Sequence, residues 1–237
     1  MNILKSISYI FPVYNEEKRL PKLFRYLDNF LKKNKKQEII FVLDGCSDNS
    51  EKLITEFSKK QKIKIIKYHK NMGKGFAVKQ GILKSTNEWI LVLDIDLSVK
   101  ISELISWIKK KYIYKKNVAY FASRNLEESR VNATFTRRLC GKILRTFLKF
   151  YAQINISDTQ CGFKLFHKKY IKRIINKLLI YRYAFDIDIC CLLQKNKIEI
   201  KELPVKWNHR EGSKVNIIID GIKILLDVIK IKNLHKK

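Results

Sequence analysis

The chain lacks any apolar run able to cross a bilayer. Its longest uncharged segment, Ser6–Asn15, is too short and contains Pro12, Tyr14 and Asn15. The start also lacks a secretory pattern, because Lys5 leads into a strand-like segment. We therefore expect no transmembrane anchor and no signal peptide, in a protein made and kept in the cytoplasm. The five cysteines (46, 140, 161, 190 and 191) lack zinc-ligand spacing, and two are adjacent. They read as small core residues in a reducing compartment. Gly-x-x-x-x-Gly-Lys-[Ser/Thr] is missing, which disfavours a P-loop NTPase, and Gly-x-Gly-x-x-Gly is missing, which disfavours a dinucleotide oxidoreductase.

Acidic residues are scarce: 22 against 50 basic ones, for a formal charge of +28. Such a chain attracts polyanions, whether nucleic acid, anionic lipid or phosphorylated substrates. The excess is mostly lysine spread along a chain rich in Ile and Asn, a pattern that biased codon usage also produces. Charge alone therefore names no partner, and with no recognisable nucleic-acid module a nucleic-acid function is not expected.

What is present suffices for a large core: 237 residues, 46% apolar and 11% aromatic. The organising stretch is Trp89-Ile-Leu-Val-Leu-Asp94-Ile95-Asp96-Leu-Ser98. Five apolar residues read as a buried strand, and two carboxylates follow where it should end. Ligands of open α/β sheets bind beyond the carboxyl ends of the strands. Asp94 and Asp96 offer two hard oxygen ligands that suit Mg²⁺ or Mn²⁺, the remaining ligands being water and substrate phosphate. Taken alone, Asp-x-Asp is more often an acidic turn or helix cap.

The surroundings favour the ligand reading. Ile7–Val13 is a first strand, with Pro12 marking where pairing should stop. Arg19–Lys33 has helical apolar spacing, and Glu38–Leu43 is a second strand ending in Asp44-Gly-Cys-Ser-Asp-Asn-Ser50. That cluster supplies a turn and an N-cap for a helix near Glu51–Lys60. Lys62–Tyr68 alternates as a third strand, Asn71-Met-Gly73-Lys74-Gly75 opens a helix, and the Asp94 strand is fourth. Four strand–helix alternations predict a mostly parallel, helix-covered sheet. Lys74 between glycines either reaches a phosphate or merely sits in an eased turn.

In the second half, Asn117–Ser123 reads as a strand ending at Arg124. Arg138, Lys142, Arg145 and Lys149 recur at helical steps, forming either a solvated face or a phosphate-binding one. Gly162–Phe166 looks like a strand, Tyr183–Asp188 leads into a helix through Leu193, and Lys197–Trp207 is a further strand. Asp186 alone is equally a helix cap. The last helix, Val215–Ile231, keeps its polar residues on one narrow stripe, so it should bury most of its circumference against core, another subunit or a membrane interface.

Several strings together resemble the inverting family-2 nucleotide-sugar glycosyltransferases of the GT-A fold, and within them the dolichyl- or polyprenyl-phosphate glucosyltransferases. They are Phe11–Glu17, Leu43–Asp48, Asn71–Gly75, Asp94–Ser98, Ser123-Arg124, Asp158–Phe166, Tyr183–Asp186, Trp207 and Gly212–Lys214. The resemblance implies an α/β GT-A fold with a C-terminal amphipathic helix. Residues 1–98 would be the nucleotide-sugar half, 99–214 the acceptor half and 215–237 the helix and basic tail. It implies that Pro12, Tyr14, Glu16 and Glu17 line the nucleotide pocket and that Asp44 meets the nucleobase. Asp94 and Asp96 would hold Mg²⁺ or Mn²⁺ against the diphosphate. Arg124, Arg137, Arg138, Arg210 and Lys214 would contact the diphosphate or acceptor phosphate, with Gly73, Lys74, Gln160 and Ser213 as further substrate-binding positions. Asp186 would position substrate. The family often has a second acid where Leu43 stands here.

The expected partners are UDP-glucose, polyprenyl phosphate and an anionic membrane surface approached peripherally from the cytoplasmic face. The alternatives are another nucleotide sugar such as GDP-mannose or UDP-GlcNAc, a non-lipid glycan acceptor, a catalytically dead transferase fold that serves as a binding subunit and, remotely, a basic nucleic-acid-binding protein.

Overall fold

Strand β1 (Ile7–Val13) is buried along nearly its whole length because it lies at the centre of a sheet covered on both faces. In the computed structural model, which describes residues 7–34, 36–132, 135–208 and 217–234, β1 pairs in parallel with β2 (Glu38–Asp44) and β4 (Trp89–Val92). The side chains of 132, 135–138, 140, 217–220 and 234 fall outside that description. Strand β3 (Ile63–Tyr68) extends the parallel run at one edge. On the other side β5 (Val118–Ser123) and β8 (Glu199–Pro204) are parallel to each other. Between them and β4 lies β7 (Lys164–His167), antiparallel to both neighbours, giving the order β3-β2-β1-β4-β7-β5-β8.

Side-chain alternation splits the core into two layers. Tyr9, Phe11 and Val13 face α1 (Leu20–Lys33), α2 (Ser50–Lys60) and α4 (Ile101–Lys109). Ile10, Ile40, Val42 and Val92 face α3 (Lys74–Lys84), α6 (Lys168–Ile174) and α7 (Phe185–Lys195), with Leu148 of α5 (Phe135–Tyr151) and Val228 of α8 (Ile217–Leu234). Residues buried on both faces explain why these strands are continuous apolar runs.

The expected mostly parallel, helix-covered sheet is therefore present, with some differences. Pairing of β1 runs one residue past Pro12, to Val13. The β4 ladder stops at Val92, although the Leu93 amide still donates to the Ile10 carbonyl at 3.1 Å. The strand expected over Lys197–Trp207 is two strands, β8 and β9 (Lys206–Asn208). After Pro204, Val205 turns to bond Ser129 and Arg130, and β9 pairs with β6 (Arg130–Asn132) in a small separate sheet. Helices α4 and α6 were not anticipated from the sequence.

Of the three partners open to helix α8, the chain's own core supplies only part of the cover. Ile224, Val228 and Ile231 are buried, but Ile222 and Leu226 are more than half exposed. The chain's own core thus covers only one stripe of a helix apolar nearly all round. Its neighbour α5 likewise exposes Ile143 and Phe150, the latter by 78%. Among the described residues, no helix is long and apolar enough to cross a membrane.

Trp107 ties α4 to the end of β8: it is buried in the first layer, and its Nε1 donates to the Pro204 carbonyl at 2.9 Å. We expect Trp107→Ala to cost about 3–5 kcal/mol. Urea unfolding checks this; an unchanged midpoint would show that α4 contributes little to the core.

Candidate active site at the carboxyl edge of the sheet

The chain leaves β4 at the carboxyl edge and turns immediately. Leu97 adopts a left-handed φ of 52°, and Asp96 Oδ1 accepts the Ser98 amide at 2.8 Å. This local turn holds Asp94 and Asp96 half exposed at the rim while Ile95 and Leu97 point into the core. Asp94 Oδ1 accepts from Lys74 Nζ at 2.5 Å. Lys74 is the first residue of α3, following Gly73, whose φ of 106° favours glycine. Over the other flank of the carboxylate lies Gly162, where a Cβ would fall 2.1 Å from Asp94 Oδ2. Only a glycine lets the 158–162 loop approach so closely.

Behind this pair lies a second. Insertion of β7 places Lys164 beside Val92 of β4 and Phe121 of β5, at the same edge. Its ammonium is buried and donates to Asp186 Oδ1 and to the Cys161 carbonyl, both at 2.6 Å. Burial raises the Asp186 pKa above its ordinary value, and Lys164 and then Lys74 only partly offset this. Burial also opposes the Asp94 charge, but there Lys74, followed by Lys164 and Arg124, outweighs it and holds the pKa below the usual value. Lys74 is held above its ordinary value: burial works against its charge, yet Asp94, Asp186 and Asp96 prevail.

A third pair flanks the second. Arg124 grips Asp158 through Nε (2.7 Å) and Nη2 (2.8 Å), and its backbone amide donates to the same carboxylate. The guanidinium also lies 5.6 Å from the Trp207 ring centre. Glu202 of β8 holds the loop bearing Asp158 by accepting the Ser157 and Asp158 amides at 2.8 and 2.9 Å. Burial opposes ionisation of Asp158, yet Arg124 overrides it and keeps the pKa low.

Three cations thus answer three of four carboxylates; Asp96 alone has no basic partner among the described residues. Gln160 Nε2, in the loop over Asp94, is buried with no acceptor among the described residues. It is an orphaned donor suited to a phosphate or sugar oxygen.

Other expected site residues serve to join loops. Asp44 is buried, and its carboxylate accepts the Met72 and Gly73 amides at 2.7 and 2.9 Å. The acid expected at the nucleobase therefore ties β2 to the loop that presents Lys74. Glu17 joins the loops after β1 and β2 by accepting from Asn49, and the Glu16 amide joins them by donating to Ser50 Oγ at 2.8 Å, while the Glu16 carboxylate pairs locally with Arg19. Tyr14, 42% exposed, stands at the same edge just after Pro12. Arg137 and Arg138 lie in α5, their side chains outside the described set; Arg210, Ser213 and Lys214 lie outside the described residues altogether. Described chain ends nearby at Asn208, whose amide donates to the Ser98 carbonyl at 3.0 Å.

Lys164, Asp158 and Glu202 were not singled out from sequence as site residues. The first two lie in a string that the resemblance quoted, but a lysine beginning a strand gave no sign of burial until β7 was placed.

The sheet order, with one antiparallel strand beside a charged carboxyl edge, defines the GT-A class of nucleotide-sugar transferase fold. Residues 8–175 match the profile of glycosyl transferase family 2, and the chain belongs to that family. It is 34% identical to a dolichyl-phosphate beta-glucosyltransferase of Trichomonas vaginalis, over 95% of this chain and 72% of that protein. To proteins of the same name it is 33% identical in Dictyostelium discoideum (95% and 73% covered) and in Homo sapiens (89% and 70%). Among solved structures, glucosyl-3-phosphoglycerate synthase of M. tuberculosis superposes with a TM-score of 0.67 at 14% identity, covering 96% of this chain and 80% of that one. The Rubrobacter xylanophilus mannosyl-3-phosphoglycerate synthase gives 0.66 at 13%, covering 98% and 74%.

Asp158→Ala should destabilise the fold by about 3 kcal/mol at neutral pH, since it leaves Arg124 without its buried partner. The folded pKa of Asp158 lies below its unfolded value, so its stabilisation is present above about pH 4 and is lost as pH falls through the folded value. Urea midpoints of wild type and variant should therefore converge in acid; a constant gap would contradict the assignment.

Proposed function

We propose that the chain transfers glucose from UDP-glucose to a polyprenyl phosphate of the dolichyl type, with inversion at the anomeric carbon. The observation that carries this reading is the half-exposed Asp94–Asp96 pair at the carboxyl edge, backed by Lys74, Arg124 and Lys164. The identity to dolichyl-phosphate beta-glucosyltransferases supports the acceptor and the sugar. A structure of the same fold, in complex with Mn²⁺, uridine diphosphate and glucosyl-3-phosphoglycerate, supports a nucleotide donor and a divalent ion.

The residues fit such an ion. Among those described, no cluster of three or more His, Cys, Asp or Glu is arranged to hold one, and Asp94 and Asp96 are the ligands these residues offer. That suits Mg²⁺ or Mn²⁺, which keep several waters and take further ligands from a diphosphate. When bound, such an ion acts as a Lewis acid that neutralises the leaving diphosphate. Lys74 and Arg124, held at the rim, supply the same kind of stabilisation. Gln160 and Gly73 complete the diphosphate side, and Pro12, Tyr14, Glu16, Glu17 and the loop tied by Asp44 form the nucleoside side. Arg137, Arg138, Arg210, Ser213 and Lys214 are assigned to the diphosphate or the acceptor phosphate, so residues 1–98 carry most of the donor side and 99–214 the acceptor side, from which Arg124 and Gln160 reach the diphosphate.

The acceptor needs no strong base. A phosphate monoester has its second pKa near about 6 and is mostly a dianion at neutral pH. Asp186, buried against Lys164, accordingly positions the edge and does not abstract a proton. In-line attack gives a β-linked product from an α-linked donor.

A lipid acceptor requires contact with a membrane. Helices α5 and α8 expose Ile143, Phe150, Ile222 and Leu226 among Lys142, Lys149, Lys223 and Lys230. Apolar side chains would enter the interface while each basic residue near an anionic surface adds on the order of 1 kcal/mol. We assign this face to peripheral attachment at the cytoplasmic leaflet.

Incubation with UDP-glucose, GDP-mannose or UDP-GlcNAc, a short polyprenyl phosphate and Mg²⁺ or Mn²⁺ should give fastest transfer from UDP-glucose. Asp96→Asn should lower the rate by about 10²-fold or more. Undiminished transfer by that variant would remove the metal site, and preference for GDP-mannose would change the sugar. Sedimentation with anionic liposomes should show salt-sensitive binding that Phe150→Asp weakens; binding indifferent to both would refute the membrane face.

A further inference from the structure

We infer that Lys74 is the resident cation of the Asp94 site and that it exchanges Asp94 for the donor's diphosphate when nucleotide and divalent ion bind. The inference rests on the function proposed above and adds an order of events to it. Asp94 is approached on one flank by Gly162, where the loop backbone leaves no room even for a methyl group. Lys74 Nζ holds Oδ1 at 2.5 Å. A dication arriving at Asp94 therefore meets an ammonium already on the carboxylate, and like charges at such a separation repel strongly in a partly desolvated rim.

Of the three site cations, only Lys74 is able to yield. Lys164 is 2% exposed and pinned between Asp186 and the Cys161 carbonyl. Arg124 is locked by two parallel hydrogen bonds to Asp158. Lys74 is 41% exposed, carries its charge on a flexible four-carbon stem, and has a single hydrogen-bond partner at its ammonium. Asp186 also attracts it from behind, so its charge stays favoured as it swings. A diphosphate at the rim offers the anion that compensates Lys74 for leaving Asp94, whereas a bare divalent ion offers none. Ion and nucleotide must then bind with positive coupling, and by linkage each raises the other's affinity by the same factor.

The test is Mn²⁺ titration of the full chain, followed by the electron paramagnetic resonance of free Mn²⁺, with and without UDP. Wild type should bind Mn²⁺ at least tenfold more tightly with UDP than without. Lys74→Met should tighten nucleotide-free Mn²⁺ binding about tenfold and shrink the UDP enhancement. Lys74→Arg, which keeps the charge, should retain the weak nucleotide-free binding of wild type. Far-UV circular dichroism would verify that both variants fold; Lys74 is not a core residue. If Lys74→Met leaves nucleotide-free affinity unchanged while wild type still takes up Mn²⁺ with UDP, the exchange is wrong and the proposed function stands. Equal tightening by Met and Arg also overturns it, because charge would not be the cause. Failure of wild type to bind Mn²⁺ even with UDP overturns the exchange and the metal site together.

Discussion

An ammonium taken out of water at the rim of a sheet is tolerated only if a carboxylate and further hydrogen-bond acceptors meet it there. The Lys164–Asp186 pair satisfies that demand, and the charged edge is built outward from it. Lys164 reaches its place because β7 runs antiparallel between two parallel strands, so that its first residue stands where its neighbours end. Asp186 reaches its place because α7 begins there. Removing either partner would strand a charge beneath the site and disturb every group above it.

Ionic contacts become less constrained from this buried pair toward solvent. Lys164 and Asp186 are enclosed, Arg124 and Asp158 are partly covered, and Lys74 and Asp94 are open enough to exchange partners. Asp96, at the outside, has no ion pair among the described residues. Under the proposed function, a divalent ion would meet the carboxylates at the rim and the leaving diphosphate would meet the cations just behind. Carboxylates behind the rim hold this arrangement: Asp44 secures the turn that presents Lys74, and Glu202 secures the loop that presents Asp158.

Helices α5 and α8 reveal a different constraint. Each has more apolar surface than the chain can cover, and basic residues interleave with what is left over. No helix among the described residues is long and apolar enough to span a bilayer, so the membrane attachment proposed above would rest on this surface.

The sequence by itself determined the first four strands, the three helices between them and the placement of Asp94 and Asp96 at a strand end. These signals are local: apolar runs, turn residues and helical spacing act within a dozen residues. It also contained the strings that resemble the family. Tertiary structure alone decided that β7 is antiparallel, that Lys164 is buried against Asp186, and that Asp44 and Glu17 spend their carboxylates on neighbouring loops. It likewise decided that Pro204 ends one strand so that β9 can join β6, and which stripe of α8 the chain's own core covers. The reason is physical. Strand direction, ion-pair partners and helix coverage depend on which distant segments meet, and a linear pattern records the preference of each segment but not the identity of its neighbour.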